Sequence, residues 1–215
     1  MGRVKNGILG TFSGKVGAVV GVVMRGKNYV RGLPEKSSKP ATLKQIAARA
    51  KFRYFNEWRN PFSTFFAITF FNQTATHSAQ NAVHRFNKDV VIGEYPDFDL
   101  DYRKIKISEG TLALPENFQL QLSDQTLLFT WKKLPSDYPN MKIDDLLAFA
   151  VFKKNDKMDI AASTCAASRG SGHYEFTLPE NFHGQEVYVY GTFLSNNRQQ
   201  ACTSICFGLY SVPLP

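Results

Sequence analysis

Thirteen lysines and arginines but only two acids, Glu35 and Glu57, occupy residues 1–60, a net charge of +11. Residues 61–100 carry −2 and residues 101–215 carry −1, so the whole excess of a +8 chain sits in its first 60 residues. A field concentrated in this way draws a polyanion: nucleic acid, an anionic surface or an acidic patch on another protein. The residues expected to grip it are Lys15, Arg25, Lys27, Tyr29, Arg31, Arg49 and Arg53. The cations would neutralise phosphates, and Tyr29 or Phe52 would stack on bases. The competing reading is a solvated basic face that only aids solubility.

Other chemistries fail on spacing. Gly10-Thr11-Phe12-Ser13-Gly14-Lys15-Val16 has three residues between its glycines and Val16 after the lysine. A phosphate-binding loop needs four, and a Ser or Thr after the lysine to hold magnesium. His77 and His84 are seven apart and could share a helix face, but no third ligand lies between them. Cys202 and Cys206, read as one strand, would stand about 13 Å apart by strand rise. That is too far for one zinc or a disulfide. With Cys165 they are expected to be small buried hydrophobes. Asp97, Asp99 and Asp101 could line one side of a strand, where the expected role is an exposed connector face rather than calcium ligation. No Gly-x-Ser-x-Gly elbow is present. No catalytic constellation, metal site or cofactor site is expected, and the chain is read as a non-enzyme.

Those cations need a scaffold. Eight of the 15 glycines fall in residues 1–33, between β-branched runs. This reads as a glycine-rich β-ribbon with turns at Ser13-Gly14-Lys15 and Arg25-Gly26-Lys27-Asn28. Residues 34–40, with two prolines, two serines and three charges, read as a linker. Thr42-Leu43-Lys44-Gln45 has the pattern of a capping box. Leu43, Ile46, Ala47, Ala50, Tyr54 and Trp58 then make one apolar stripe at 100° per residue, flanked by Lys44, Lys51 and Arg59 on one side and Arg49 and Arg53 on the other. The pattern predicts a cationic amphipathic helix ending at Asn60-Pro61. A second, phenylalanine-rich helix follows from Phe62, extending through residues 72–86.

From about residue 99 the texture becomes alternating. Strands are expected at residues 104–107, 118–122, 127–131, 146–152, 160–166, 174–178, 186–190 and 204–210. Short strands with buried aromatics read as an antiparallel β-sandwich, immunoglobulin/fibronectin-III-like, with Trp131 as a core anchor. The fold class is therefore α+β, divided into a basic ribbon-and-helix region, 1–98, and a sandwich, 99–215. Leu-Pro-Glu-Asn-Phe occurs at residues 114–118 and 178–182, which reads as two equivalent turns. Three cysteines are too few for a disulfide scaffold. No apolar run reaches membrane-spanning length, and no secretory signal is visible. The expected location is cytoplasmic or assembly-associated.

Several strings together resemble a known family. They are Gly10-x-x-Ser13-Gly14-Lys15-Val16-Gly17, Val19-Val20-Gly21, Arg25-Gly26-x-x-Tyr29-Val30-Arg31, and Thr42-x-x-Gln45-x-x-x-Arg49-x-Lys51-Phe52, followed by Tyr95-Pro96-x-Phe98-x-Leu100-Asp101-Tyr102. The chain is similar to a family widespread in Bacteroidota and known only as a domain of unknown function. Members often carry Trp where this chain has Met24. The resemblance implies a source and no activity. The leading functional expectation is a structural, assembly or binding protein that self-associates, as a filament or virion-like component, or docks on a polyanion through its basic front. The alternative is nucleic-acid binding through residues 15–59. Partners are thus expected to be further copies of the chain, a protein assembly or nucleic acid; any small-molecule ligand is unknown.

Overall fold

A computed structural model describes residues 2–3, 12–24, 26–35, 38–75, 77–154 and 159–214. They divide into two units, Met1–Leu43 and Lys44–Pro215.

The first unit is one antiparallel sheet in the order β1-β4-β3-β2, built from β1 (Gly2–Arg3), β2 (Gly14–Val16), β3 (Val19–Met24) and β4 (Lys27–Gly32). The ribbon expected from the glycine pattern is present. Its first turn is not at Ser13-Gly14-Lys15, because Gly14 and Lys15 are already in β2; the chain reverses at Gly17-Ala18. The second reversal lies between Met24 and Lys27, in the first half of the expected turn because Lys27 and Asn28 are already in β4, and Gly26 has φ +71°. Gly21 is held by close approach. A Cβ there would run into the Phe12 carbonyl and stand 2.6 Å from the Phe12 ring.

The second unit is organised around β9 (Leu146–Lys153) and β12 (Glu186–Leu194). They are the central strands of the antiparallel sheet β10-β9-β12-β13, flanked by β10 (Ile160–Ser163) and β13 (Ile205–Ser211). Seven of the eight β9 residues are buried, without alternation. A strand reads this way only when both of its faces are covered. On one face Leu147, Phe149, Val151, Val187, Val189 and Phe193 share a core with Leu127, Phe129 and Trp131. The last three belong to or follow a second antiparallel sheet, β11-β8-β7, made of β7 (Gln119–Ser123), β8 (Thr126–Thr130) and β11 (His173–Thr177). On the other face Ala150, Phe152 and Tyr190 share a core with Phe55, Trp58, Phe62, Phe66 and Phe70. Those aromatics come from α1 (Leu43–Arg59), α2 (Ser63–Thr69) and the turns beside them. Trp58 meets Phe152 with ring centroids 5.4 Å apart. A hairpin of β5 (Val91–Glu94) and β6 (Asp97–Leu100) completes the unit.

The sequence pattern places a boundary at 98/99. The helical aromatics share a core with the central sheet, and the two compact units meet in the chain at 43/44. Helix α1 starts at Leu43, directly after Thr42, as the capping pattern predicts. Its buried face is rotated from the expected stripe. Phe55, Trp58 and Arg59 are buried, whereas Leu43 is 78% exposed. The second helix is broken. After α2 the chain makes a 3-10 turn at Phe71–Gln73, and α3 (Ala79–Phe86) restarts with the Ser78 hydroxyl accepting from the Asn81 amide at 3.2 Å. Ser78 favours a fresh N-cap over a continued helix. The strand expected at residues 104–107 is absent; Tyr102–Lys104 is a 3-10 turn. The repeated pentapeptide does not form equivalent turns. Asn117 has φ +54°, whereas Glu180–Phe182 is a 3-10 turn.

Loops at one end of the two sheets are tied by a buried ion pair. Arg169 and Asp145 are 0% and 1% exposed at the side chain, with Nε 3.2 Å from Oδ2. Arg169 Nη2 donates to the Ala113 carbonyl at 3.0 Å, and the guanidinium lies over Phe193, 4.6 Å from the ring centroid. The Trp131 indole N–H donates to the Arg169 carbonyl at 2.7 Å, which makes Trp131 the anchor its type suggested. Asp145→Ala would leave a buried guanidinium without its counter-charge and is expected to cost about 3–5 kcal/mol in chemical denaturation. The double replacement Asp145→Leu with Arg169→Met should cost far less, since no isolated charge remains.

Candidate functional site

Register decides which ribbon residues share a face, because directly opposed residues in an antiparallel pair point the same way. Lys15 opposes Val20 and Val20 opposes Arg31; Val22 opposes Tyr29, and Met24 opposes Lys27. With side chains alternating along each strand, Lys15, Lys27, Tyr29 and Arg31 stand on one face of the sheet. Lys15, Lys27 and Arg31 are exposed, and none pairs with a carboxylate among the described residues. Tyr29 is half-buried and, with Val22, Met24 and Arg31, lines a shallow depression of about 260 Å³. The reverse face carries Val16, Val19 and Val23, all exposed, around the Phe12 ring packed over Gly21.

The remaining candidates are placed differently. Arg25 lies outside the described residues. Arg49 and Arg53 are on α1, in the second unit, and both are exposed. Arg53 is committed to a charge-assisted hydrogen bond with Glu57 at 2.7 Å. Phe52 is exposed, with one face of its ring taken. Its ring lies flat on His84, with centroids 4.5 Å apart and planes 11° from parallel. The His84 Nε2 donates to Asn56 Oδ1 at 3.1 Å, and Arg59 Nη2 donates to the same oxygen at 2.9 Å.

Among the described residues no group of three His, Cys, Asp or Glu is placed to hold a metal ion. His77 precedes α3, so it shares no helix face with His84. Asp101 is paired with Lys104 at 2.9 Å, and Asp99 accepts from the Leu100 amide at 2.7 Å. The cysteines are free thiols, but only Cys202 is fully buried; burial pushes its thiol up to about 11. Cys165 is exposed and Cys206 half-buried, because β10 ends at Ser163 and β13 is only partly covered. Gly14 and Lys15 lie in a strand, which has no helix N-terminus to offer a phosphate.

Residues 11–208 match the model of a family of unknown function, DUF6266. The chain belongs to this family. No curated protein matches it. The DUF6266 match runs through both units, so the family is defined by the ribbon together with the helices and sheets rather than by either alone. No helix among the described residues is long and apolar enough to cross a membrane.

Two features of this DUF6266 chain escape sequence reading. One is the Asp145–Arg169 pair, whose members are 24 residues apart and join only through loop packing. Burial pushes the Asp145 carboxyl above the usual carboxylate range, against the opposing pull of the Lys142 amide and Arg169. Asp145 also borders a cavity of about 590 Å³ with Asp144, Ser195, Asn196 and Gln200 in its wall. The other is the position of His84. Burial lowers its imidazole below the ordinary range, and the Arg59 guanidinium lowers it further. The unfolded chain therefore binds this proton more tightly than the folded protein does. His84 stabilises fully above its unfolded-state value of about 6.5, and that stability is lost as pH falls through the folded-state value. Denaturation midpoints should fall as pH drops below about 6.5, and His84→Gln should make that fall shallower. An identical slope in the variant would remove His84 as its source.

Proposed function

We propose that the chain is a non-enzymatic binding and assembly protein whose first unit docks on a polyanionic partner through the cationic face of its sheet. The observation that carries the reading is that register puts Lys15, Lys27 and Arg31 on one face, with no carboxylate paired to them among the described residues. Pairing would have consumed the field locally; unpaired cations project it into solvent. Tyr29 beside them adds a ring that can stack on a base or lie under a cation-poor ligand. Arg49 and Arg53 on α1 extend the same charge class, with Arg53 weakened by Glu57.

The seven strands β7–β13 divide three and four between two antiparallel sheets that share one core, which supports an immunoglobulin/fibronectin-III-like sandwich as the stable body. A Bacteroidota source, a cytoplasmic or assembly-associated location, and a role in a filament or virion-like shell belong to the same proposal. Self-association is the second reading, favoured by the exposed Val16, Val19 and Val23 on the reverse face and by the short edge strand β2.

Binding to a duplex oligonucleotide should weaken linearly in log salt, with a slope near −0.9 per phosphate neutralised. Lys15→Glu with Arg31→Glu should flatten that slope by about 2. An unchanged slope, or no binding at low salt to either the oligonucleotide or heparin, would overturn the docking face. Light scattering at two concentrations tests self-association. The wild type should exceed monomer mass, and Val19→Asp with Val23→Asp should return it to monomer; a strictly monomeric wild type ends that reading.

A further inference from the structure

A second cationic surface lies wholly within the 44–215 unit and owes nothing to the ribbon. The chain leaving α3 and the segment after β6 face each other across an open concavity of about 470 Å³, with β13 at its base. Arg85, Lys88, Arg103, Lys104 and Lys106 line it, against one lining acid, Asp89. Two of the five cations are already neutralised. Lys104 pairs with Asp101 at 2.9 Å and Lys106 with Glu109 at 2.6 Å. Lys88 reaches Asp89 only at 4.0 Å, both side chains being well exposed. Arg85 and Arg103 form no ion pair among the described residues. Arg85 is held instead over the Phe86 ring, 5.5 Å from its centroid, which fixes its guanidinium in the last turn of α3.

The walls are preorganised. Asn87 is buried, donates to the Lys106 carbonyl at 3.1 Å and accepts from the Lys106 amide at 2.8 Å, so the two cationic segments are clamped to each other. The Asp101 amide adds a bond to the Val90 carbonyl at 2.8 Å. Between the cations the lining is apolar: Phe86, Val90, Ile105 and the half-buried Cys206. Arg103 and Cys206 line the same concavity.

We infer that this concavity binds an organic phosphate monoester, its phosphoryl group held between Arg85 and Arg103 and its apolar body against Phe86 and Ile105. Paired guanidinium forks match the oxygens of a phosphoryl group, and a dianion is the charge that two unpaired arginines and a weakly paired lysine would balance. The volume exceeds what one phosphate fills and falls in the range of small-molecule sites, which favours an ester over the free ion.

Isothermal titration with phenyl phosphate and with inorganic phosphate, at constant ionic strength, tests the site. Phenyl phosphate should bind more tightly than inorganic phosphate, and Arg85→Gln with Arg103→Gln should weaken it at least about tenfold. Both arginines are exposed, so the unliganded denaturation midpoint should not move. Lys15→Glu with Arg31→Glu should leave this binding unchanged, which separates the site from the docking face. In the wild type, phenyl phosphate should slow iodoacetamide labelling of Cys206, mapped by peptide mass, without slowing that of Cys165. Equal affinity for the two ligands would overturn the ester assignment. No binding, or full binding by the double variant, would overturn the site.

Discussion

Everything in the larger unit depends on a sheet with no solvent face. The central strands β9 and β12 are covered on one side by the helices and on the other by the second sheet. Each side demands a different surface. Toward the second sheet β9 offers Leu147, Phe149 and Val151; toward the helices it offers the small Ala150, beside Phe152, whose ring meets Trp58 and Phe62. The contact is large and aromatic, of the kind where truncating one ring costs about 3–5 kcal/mol. The helical segment therefore cannot belong to the ribbon as a separate body. It is one layer of a three-layer stack, and its amphipathic pattern is the imprint of that sheet.

Polar links pin what the apolar layers leave open. Arg169 gathers Ala113, Asp145 and Phe193 around one buried guanidinium, and its backbone carbonyl accepts from the Trp131 indole, so one residue fixes several loops. At the opposite layer Asn87 ties the end of α3 to Lys106, and the Tyr190 hydroxyl donates to the Tyr102 carbonyl at 2.5 Å. Burial pushes the Tyr190 phenol well above its ordinary range, which keeps it a donor at any physiological pH. These bonds hold the segment around residues 101–106 without a strand ladder, and in doing so they aim Arg103 and Lys104 into the basic concavity.

The smaller unit works by other means. Its strands carry valines and glycines, and the Phe12 ring sits where Gly21 has no side chain. Two chemically distinct faces result, one cationic and one apolar, from a strand period of two acting on a short alternating sequence. Such a sheet has little core of its own.

Charge placement was legible from composition: the excess lies before residue 61, and the ribbon and the start of α1 follow from glycine spacing and the Thr42 cap position. Seven of the eight strands expected after residue 99 were legible too, because alternation and turn residues are local signals. Lys104-Ile105-Lys106-Ile107 mimics that alternation, yet its side chains are sorted between concavity and core by Asn87 and the Tyr102–Lys104 turn, not by a neighbouring strand. Phe55 reads as off-stripe until the central sheet supplies a surface for it, and the stacking of His84 on one face of Phe52 has no local signal. Arg169 and Asp145, or Arg85 and Arg103, carry no signature at all, being ordinary charged residues in loops, turns and a helix end. Local sequence determined which segments extend or coil and where charge accumulates. Only packing between distant segments decided which charges were buried, paired or left facing solvent, because that depends on desolvation and proximity that a linear order of residues does not contain.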